Sequence, residues 1–427
     1  MGGAGKDIQL LQQQQQQYLI PGLPDEVAMD CLVRVPYQFH LAMKSVCRRW
    51  RNLANDPSFY RERQRTGTAE QLVCLVQALT SITSAEAEVE SVIEDNNKEQ
   101  EEKRRLRRRH CPPVYGLSVY NLSRNTWRRM MPTRGNCSGI PMFSHCVALP
   151  ISGKLVLLGG WDPETLDSVP DVYVCDFVRG GGWRRAAPMS MGRSFFACAA
   201  VGPSSVYVAG GHDNQKNALR SAEVYDADAD EWRALPPMAE ERDECQGLSC
   251  DGDGRFWVVS GYGTESQGRF KSDAECYDPA LGSWSKLEEV WPFPSASPRA
   301  IAATPSGRWC FMGGGNGGEQ RGVMEYDVKE KCWKVVASIP DNGLKSSPCV
   351  VTLRGGGRNQ DRIFMMGSGI DGLNGGNGAG DRHGGLILEL EKSTTTTNGG
   401  NSNGKWINLH TPTEFSGFAY SVCSLLL

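Results

Sequence analysis

The 15 cysteines include no C-x-x-C pair, so the sequence signals neither a thiolate zinc site nor a dithiol redox motif. Histidine is scarce: six stand at positions 40, 110, 145, 212, 383 and 410, and no two form a metal-ligand pair. No run reaches the ~18 apolar residues that a membrane-spanning helix needs, and no N-terminal stretch looks like a signal peptide. The start Met1-Gly2 would suit acylation, but Lys6 stands where Ser or Thr is required. Charge of one sign is also missing. Forty-six Lys and Arg against 49 Asp and Glu leave a net charge of -3, which gives no basic field for nucleic acid. These absences lead us to expect a soluble protein of the cytoplasm and/or nucleus that uses no metal and no cofactor and binds neither nucleic acid nor membrane. Its cysteines are expected to be reduced, buried and inert. The 49 glycines follow no G-X-Y period, which excludes collagen. Gly313, Gly315 and Gly318 spell G-x-G-x-x-G, but a strand-like run at 323–327 follows where a dinucleotide site needs a helix.

What the sequence does contain is a repeat. Tyr225-Asp226 precedes Trp232, Tyr277-Asp278 precedes Trp284, and Tyr326-Asp327 precedes Trp333, with the tyrosine always seven residues ahead of the tryptophan. Tyr120-Asn121 with Trp127 keeps the spacing, Cys175-Asp176 with Trp183 is a near match, and Trp406 continues the series more loosely. Short apolar runs ending in small residues lie upstream: 155–160 (LVLLGG), 206–211 (VYVAGG), 256–261 (FWVVSG) and 310–314 (CFMGG). Four short strands per period of ~50 residues make a propeller blade. The glycines allow sharp turns and close approach of neighbouring blades, and the aromatics fill the space between sheets, so this is packing chemistry.

The segment 72–78 reads as a second strand and 115–121 as a third, with no first strand ahead of them. The C-terminal run 417–427 reads as a lone first strand. We therefore expect six blades: blade one at about 71–133, completed by 417–427, then blades at about 144–189, 194–238, 245–291, 300–340 and 349–416. A charged insert occupies 81–110, acidic first and then basic at 103–109, and Gly/Asn/Thr-rich inserts occupy 370–384 and 393–404. The basic run could serve as a nuclear-localisation patch or as a solvated loop.

Residues 1–18 are glutamine-rich and predict disorder. Residues 19–65 differ from both flanks. Pro24 with Asp25 and Glu26 suits a helix start, and Val27, Cys31, Leu32 and Val35 form a helical stripe that Pro36 breaks. A second helix is predicted over about 38–52, with Val46, Trp50 and Leu53 on one face, and Asp56-Pro57 opens a third that carries Phe59. The apolar positions outnumber what one small core needs, which points to a partner surface.

The repeats resemble kelch motifs, and the match covers most of 70–427. Leu23-Pro24-Asp25-Glu26, Leu32, Val35-Pro36, Val46-Cys47-Arg48-Arg49-Trp50 and Leu53 resemble the F-box in order and spacing. The combination, with 19–26 (LIPGLPDE), is similar to plant F-box/kelch proteins of the KISS ME DEADLY type. The resemblance implies an all-β six-bladed kelch propeller (66–427) behind an all-α F-box of three short helices (19–65). It further implies a non-enzymatic substrate receptor of an SCF ubiquitin ligase. Leu23, Pro24, Leu32, Val35, Pro36, Val46, Trp50 and Leu53 would dock the Skp-type adaptor and, through it, a cullin. The propeller would bind a protein destined for ubiquitination and proteasomal degradation. Relatives of that type are associated with turnover of type-B cytokinin response regulators and of phenylalanine ammonia-lyase. Kelch repeats also resemble those of copper radical oxidases, but the scattered histidines offer no ligand pair. A kelch scaffold binding cytoskeleton is the remaining rival and would not need the F-box.

In an antiparallel blade the d–a and b–c connections share one face. Arg134, Arg193, Arg242, Arg299 and Lys345 stand just before the first strand of successive blades. We expect them to form a basic ring at one mouth of the channel that captures an acidic or phosphorylated peptide. The F-box enters at strand b and is therefore expected on the opposite face, with some flexibility at 66–70.

Overall fold

The computed structural model describes residues 18–79, 113–130, 139–180, 182–250, 252–313, 322–340, 344, 348–354, 360–368, 383–391 and 404–427. The insert 81–110, Arg134, Lys345 and most of the two Gly-rich inserts lie outside the described residues.

The seven-residue spacing of tyrosine and tryptophan becomes a hairpin in which the two face each other. Tyr120 lies opposite Trp127, Tyr225 opposite Trp232, Tyr277 opposite Trp284 and Tyr326 opposite Trp333. The residue after the tyrosine makes the turn. Asp226 Oδ1 accepts from the backbone N–H of Asp228 and Ala229 at 2.9 and 3.2 Å, and Asp278 and Asp327 repeat the arrangement. Asn121 does the same for the N–H of Arg124 at 3.2 Å, so an amide replaces the acid without loss of the turn. In five of the six blades the indole N–H then ties the blade to the one before it, Trp183 being the exception. Trp232 donates to Ala187 O, Trp284 to Pro236 O, Trp333 to Val290 O, Trp406 to Ser338 O and Trp127 to His410 O, all within 2.7–3.2 Å. The tryptophan is thus a half-buried wedge and an inter-blade strut in one side chain.

Among the described residues these hairpins build six four-stranded antiparallel sheets, the six-bladed propeller that the repeat predicts. The inner, channel-lining strands are Ala419–Leu426, His145–Leu149, Ala197–Val201, Gln246–Leu248, Ile301–Ala303 and Cys349–Leu353. In the first sheet the C-terminal strand Ala419–Leu426 pairs along Gln71–Ala78, from Gln71 opposite Leu426 to Gln77 opposite Ala419. The Gly-Gly steps are required by contact. A Cβ on Gly210, whose φ is +71°, would stand 2.4 Å from the Arg242 carbonyl oxygen of the next blade.

The N-terminal module corrects the expected helix count. Among the described residues it has four α-helices: α1 (Asp25–Val33), α2 (His40–Val46), α3 (Arg48–Asn55) and α4 (Pro57–Arg65). The single helix predicted over 38–52 is broken at Cys47, which is extended (φ -157°, ψ 168°) and caps α3 by accepting from the Trp50 N–H through its sulfur at 3.4 Å. Asp56 caps α4 through the Ser58 N–H at 2.8 Å, with Pro57 at the first helical position.

The module is fixed to the propeller rather than loosely tethered. Glu70 is buried at the joint. One oxygen accepts from the Tyr37 N–H at 2.6 Å and from Arg63 at 3.1 Å, and the other from Asn121 at 3.0 Å and Arg124 at 2.6 Å. Burial alone would raise its pKa, but these donors hold the carboxyl below its ordinary range. Arg63 also donates to the carbonyls of Val33 and Val35 and so closes the end of α1. Tyr60 and Lys44 reach Val178 O, and the Tyr37 ring lies 6.3 Å from Phe177. All these propeller contacts are on a–b and c–d turns of the first two blades. Replacing Glu70 by Ala leaves Arg63 buried without a counter-charge, so Glu70→Ala is expected to cost about 3–5 kcal/mol in chemical denaturation. A loss below about 1 kcal/mol would contradict this rigid joint.

Candidate functional site

Two surfaces present themselves, one on each face of the ring. On the module, the eight residues expected to dock an adaptor divide by exposure. Leu32 is 2% exposed and belongs to the core. Leu23, Val35, Pro36, Trp50 and Leu53 are half-buried, and Pro24 and Val46 are exposed. Trp50 also braces the module from within. Its Nε1–H donates to Leu19 O at 2.6 Å, while Asp25 accepts from the Leu19 N–H at 2.9 Å and from Arg49 at 2.7 Å, which pins the incoming chain against α1 and α3. The exposed apolar side chains are instead Tyr18, Val27, Phe39, Leu41 and Val46, the last 61% exposed. Phe39 and Leu41 were not singled out from the sequence. The available signal is that Phe39-His40-Leu41-Ala42-Met43 is apolar over more than one helix face, and its buried members, His40 and Met43, leave the others outside.

The opposite face carries the mouth of the channel. Here the expected basic ring is corrected. Arg193 and Arg242 are 1% and 0% exposed, so neither can meet a partner. Arg193 donates to Gly210 O at 3.0 Å and pairs with Glu223 at 3.1 Å. Arg242 donates to Ser260 O at 2.9 Å and pairs with Asp273 at 2.6 Å and Glu275 at 3.0 Å. They are clamps that fasten the entry to a blade onto its own b–c turn, and charges so deeply buried require such partners. Arg299 differs. It lines the channel, is half-buried, and stacks over the Phe418 and Tyr420 rings at 5.3 and 5.2 Å. Among the described residues its guanidinium makes no ion pair or hydrogen bond.

Around Arg299 lies a repeated pair that the sequence did not bring out. The residue after each Gly-Gly or Ser-Gly step is Trp161, His212 or Tyr262, and each forms a bridge to Met142, Ser194 or Asp243. The next residue, Phe143, Phe195 or Glu244, has φ of 57°, 55° or 49°. Left-handed backbone at a phenylalanine costs of order 1–3 kcal/mol and persists only where the surroundings impose it. It turns three side chains toward the same rim. Phe143 lies 5.4 Å from Trp161, Phe195 stacks on His212 at 5.4 Å, and the Tyr262 hydroxyl donates to Glu244 at 3.0 Å. Trp161 Nε1–H donates to His212 Nε2 at 3.3 Å, and His212 Nδ1–H to Asp243 at 2.9 Å, which stitches three blades together. The rim grades from aromatic on blades one to three to acidic on blade four.

Below the rim the channel cavity has a volume of 480 Å³ and is lined by the inner strands. Cys146, Cys198, Cys250, Cys349 and Cys423 are among its lining residues. Burial pushes the Cys349 thiol up to about 12 and that of Cys198 higher, so both are neutral and poor nucleophiles. His145 is pushed down to about 3, first by burial and then by the charge of Arg299. Among the described residues no group of three or more His, Cys, Asp or Glu is placed to hold a metal ion, and no helix is long and apolar enough to cross a membrane.

With this geometry in place, comparison with known proteins is informative. The F-box domain family model matches residues 20–62, and the Kelch motif model matches 193–239, the third blade. The Arabidopsis thaliana F-box/kelch-repeat protein SKIP20 is 44% identical over 95% of this chain and 96% of its own length. Two further F-box/kelch-repeat proteins of Arabidopsis thaliana are 46% identical (96% of both chains) and 31% identical (95% of this chain, 99% of the relative).

Proposed function

This chain belongs to the F-box/kelch-repeat family, and from that premise we propose that it is the substrate-recognition subunit of an SCF-type ubiquitin ligase. An F-box implies docking of a Skp-type adaptor, and a kelch propeller implies binding of a protein substrate. In the proposed complex the adaptor links the chain to a cullin, and the target held at the propeller is ubiquitinated and degraded. The chain itself contributes binding and position rather than chemistry. The observation that carries the reading is the division of labour in the helical module. Its inner side is bolted to the a–b and c–d turns through Glu70, Tyr37 and Tyr60, while Val27, Phe39, Leu41 and Val46 stay in solvent. Several large apolar side chains left exposed on so small a module fit a partner surface.

The test is capture of a purified plant Skp-type adaptor by the full chain. Val27→Glu with Val46→Glu is expected to weaken capture at least about tenfold while leaving stability within about 1 kcal/mol, because both side chains are exposed. Undiminished capture would refute docking on this surface. The similarity to the KISS ME DEADLY type makes type-B cytokinin response regulators and phenylalanine ammonia-lyase the first two targets to test.

A further inference from the structure

We propose that the channel mouth reads a target segment in which a large apolar side chain, aromatic by preference, adjoins a single carboxylate. The proposal rests on the mouth being the target-binding face and names what that face selects.

Three observations carry it. The first is a trough of rings, three of them half-buried and the fourth, Tyr420, buried. Phe143, Phe195 and Tyr420 stand 5.2–5.6 Å from one another, with Trp161 5.4 and 5.5 Å from the two phenylalanines. Phe143 and Phe195 are only half-buried, so ring surface remains for a further apolar group in edge or offset contact, while the face of Trp161 is covered by the Lys216 ammonium 3.6 Å from its centroid. The second is the backbone that creates the trough. Phe143 and Phe195 are both held left-handed at equivalent places in neighbouring blades, and such conformations cluster at binding sites. A packing role alone would be filled at lower conformational cost by a residue in ordinary strand geometry.

The third is the state of Arg299. Arg193 and Arg242 are saturated by carboxylates, whereas Arg299 has its donors free among the described residues while its plane is fixed against Phe418 and Tyr420. A guanidinium oriented by ring stacking, in no ion pair among the described residues and with only the longer-range charge of Glu244 acting on it, is prepared for a two-pronged bond to a carboxylate. Tyr420 belongs both to the trough and to the Arg299 stack, so apolar and acidic groups of one ligand would sit side by side. The facing wall limits the charge. Glu244 and Asp243 stand on blade four, and burial together with the charge of Asp243 raises the Glu244 carboxyl despite the Tyr262 hydrogen bond and the charge of Arg299. A dianionic phosphate would meet these carboxylates and gain less than a carboxylate does.

The experiment is selection from a randomised peptide display library on the full-length protein. Wild type is expected to enrich Phe, Tyr, Trp or Leu next to Asp or Glu. Phe195→Gly suits the left-handed backbone and should lose the apolar preference while keeping the acidic one. Arg299→Gln should do the reverse, and Arg299→Lys should restore the acidic preference in part. A synthetic consensus peptide should bind Phe195→Gly at least about tenfold more weakly than wild type, and its phosphoserine-for-aspartate analogue should bind wild type more weakly than the parent. No consensus, a basic consensus, or tighter binding of the phosphorylated analogue would overturn the proposal. Capture of the Skp-type adaptor by each variant should match wild type, so failure at the mouth is separable from failure of the ligase reading.

Discussion

Removal of residues 417–427 is expected to abolish the cooperative unfolding transition of the whole propeller. The strand Ala419–Leu426 is the innermost of its sheet, and without it Gln71–Ala78 becomes a bare edge facing the channel. Tyr420, Leu425 and Leu427 are buried in the largest apolar cluster, which also holds Phe59 and Tyr60 of the helical module. Loss of each such side chain costs about 2–5 kcal/mol, so together they rival the 5–15 kcal/mol that typically holds a domain. The backbone pairs between Leu427 and Glu70, at 2.6 and 3.0 Å, would go as well and free the joint to the module. The measurement is thermal unfolding by circular dichroism. A truncated chain that still melts cooperatively within a few degrees of the full one would show that closure is not what holds the ring.

The second large effect separates arginines that look alike in the sequence. Arg242→Ala is expected to cost about 3–5 kcal/mol, because it strands Glu275 as a buried carboxylate without its cation and leaves Asp273 to Lys286 alone. Asp273 shows the dependence. Burial would raise its pKa, and hydrogen bonding and charge from Arg242 pull it below the ordinary value. Arg299→Ala is expected to cost under about 1 kcal/mol, since among the described residues no ion pair ties the side chain to a buried carboxylate. Urea titrations of the two variants check the contrast. Equal losses would mean that Arg299 is a structural clamp like the others, and the reading of the mouth would fall with it.

Why these arginines merged in the sequence is a matter of register. Cys198 lies opposite Val208, Gly247 opposite Val258 and Ile301 opposite Phe311, which places the three at the same level of their blades. Arg193 and Arg242 stand five residues before that level and Arg299 two residues before it. A cation just before the first strand is therefore two different things. A sequence cue did exist: Ala222-Glu223 and Ala274-Glu275, two residues ahead of Tyr225 and Tyr277, supply the glutamates that the buried arginines need. The blades were legible because tyrosine, tryptophan and the turn-making acid must sit at a set spacing to pair across a hairpin. The rim was not. A phenylalanine gives no sign that its backbone is left-handed, although the aromatic that follows Gly-Gly as Trp161 and His212, and Ser-Gly as Tyr262, was visible as a repeat. In the module the stripe expected on α1 was right only at Leu32, since the buried face is Ala28, Leu32 and Val33 while Val27 and Cys31 are exposed, and the break at Cys47 depends on a thiol acting as a cap, which no spacing rule marks.

The central claim is that adaptor and target are gripped on opposite faces of one rigid body. Hydrogen exchange of the full chain with and without a plant Skp-type adaptor tests it most directly. Slowed exchange is expected in α1 to α3, with peptides spanning Phe143, Phe195 and Glu244 unchanged. Protection at those mouth peptides with none on the helices would contradict the account.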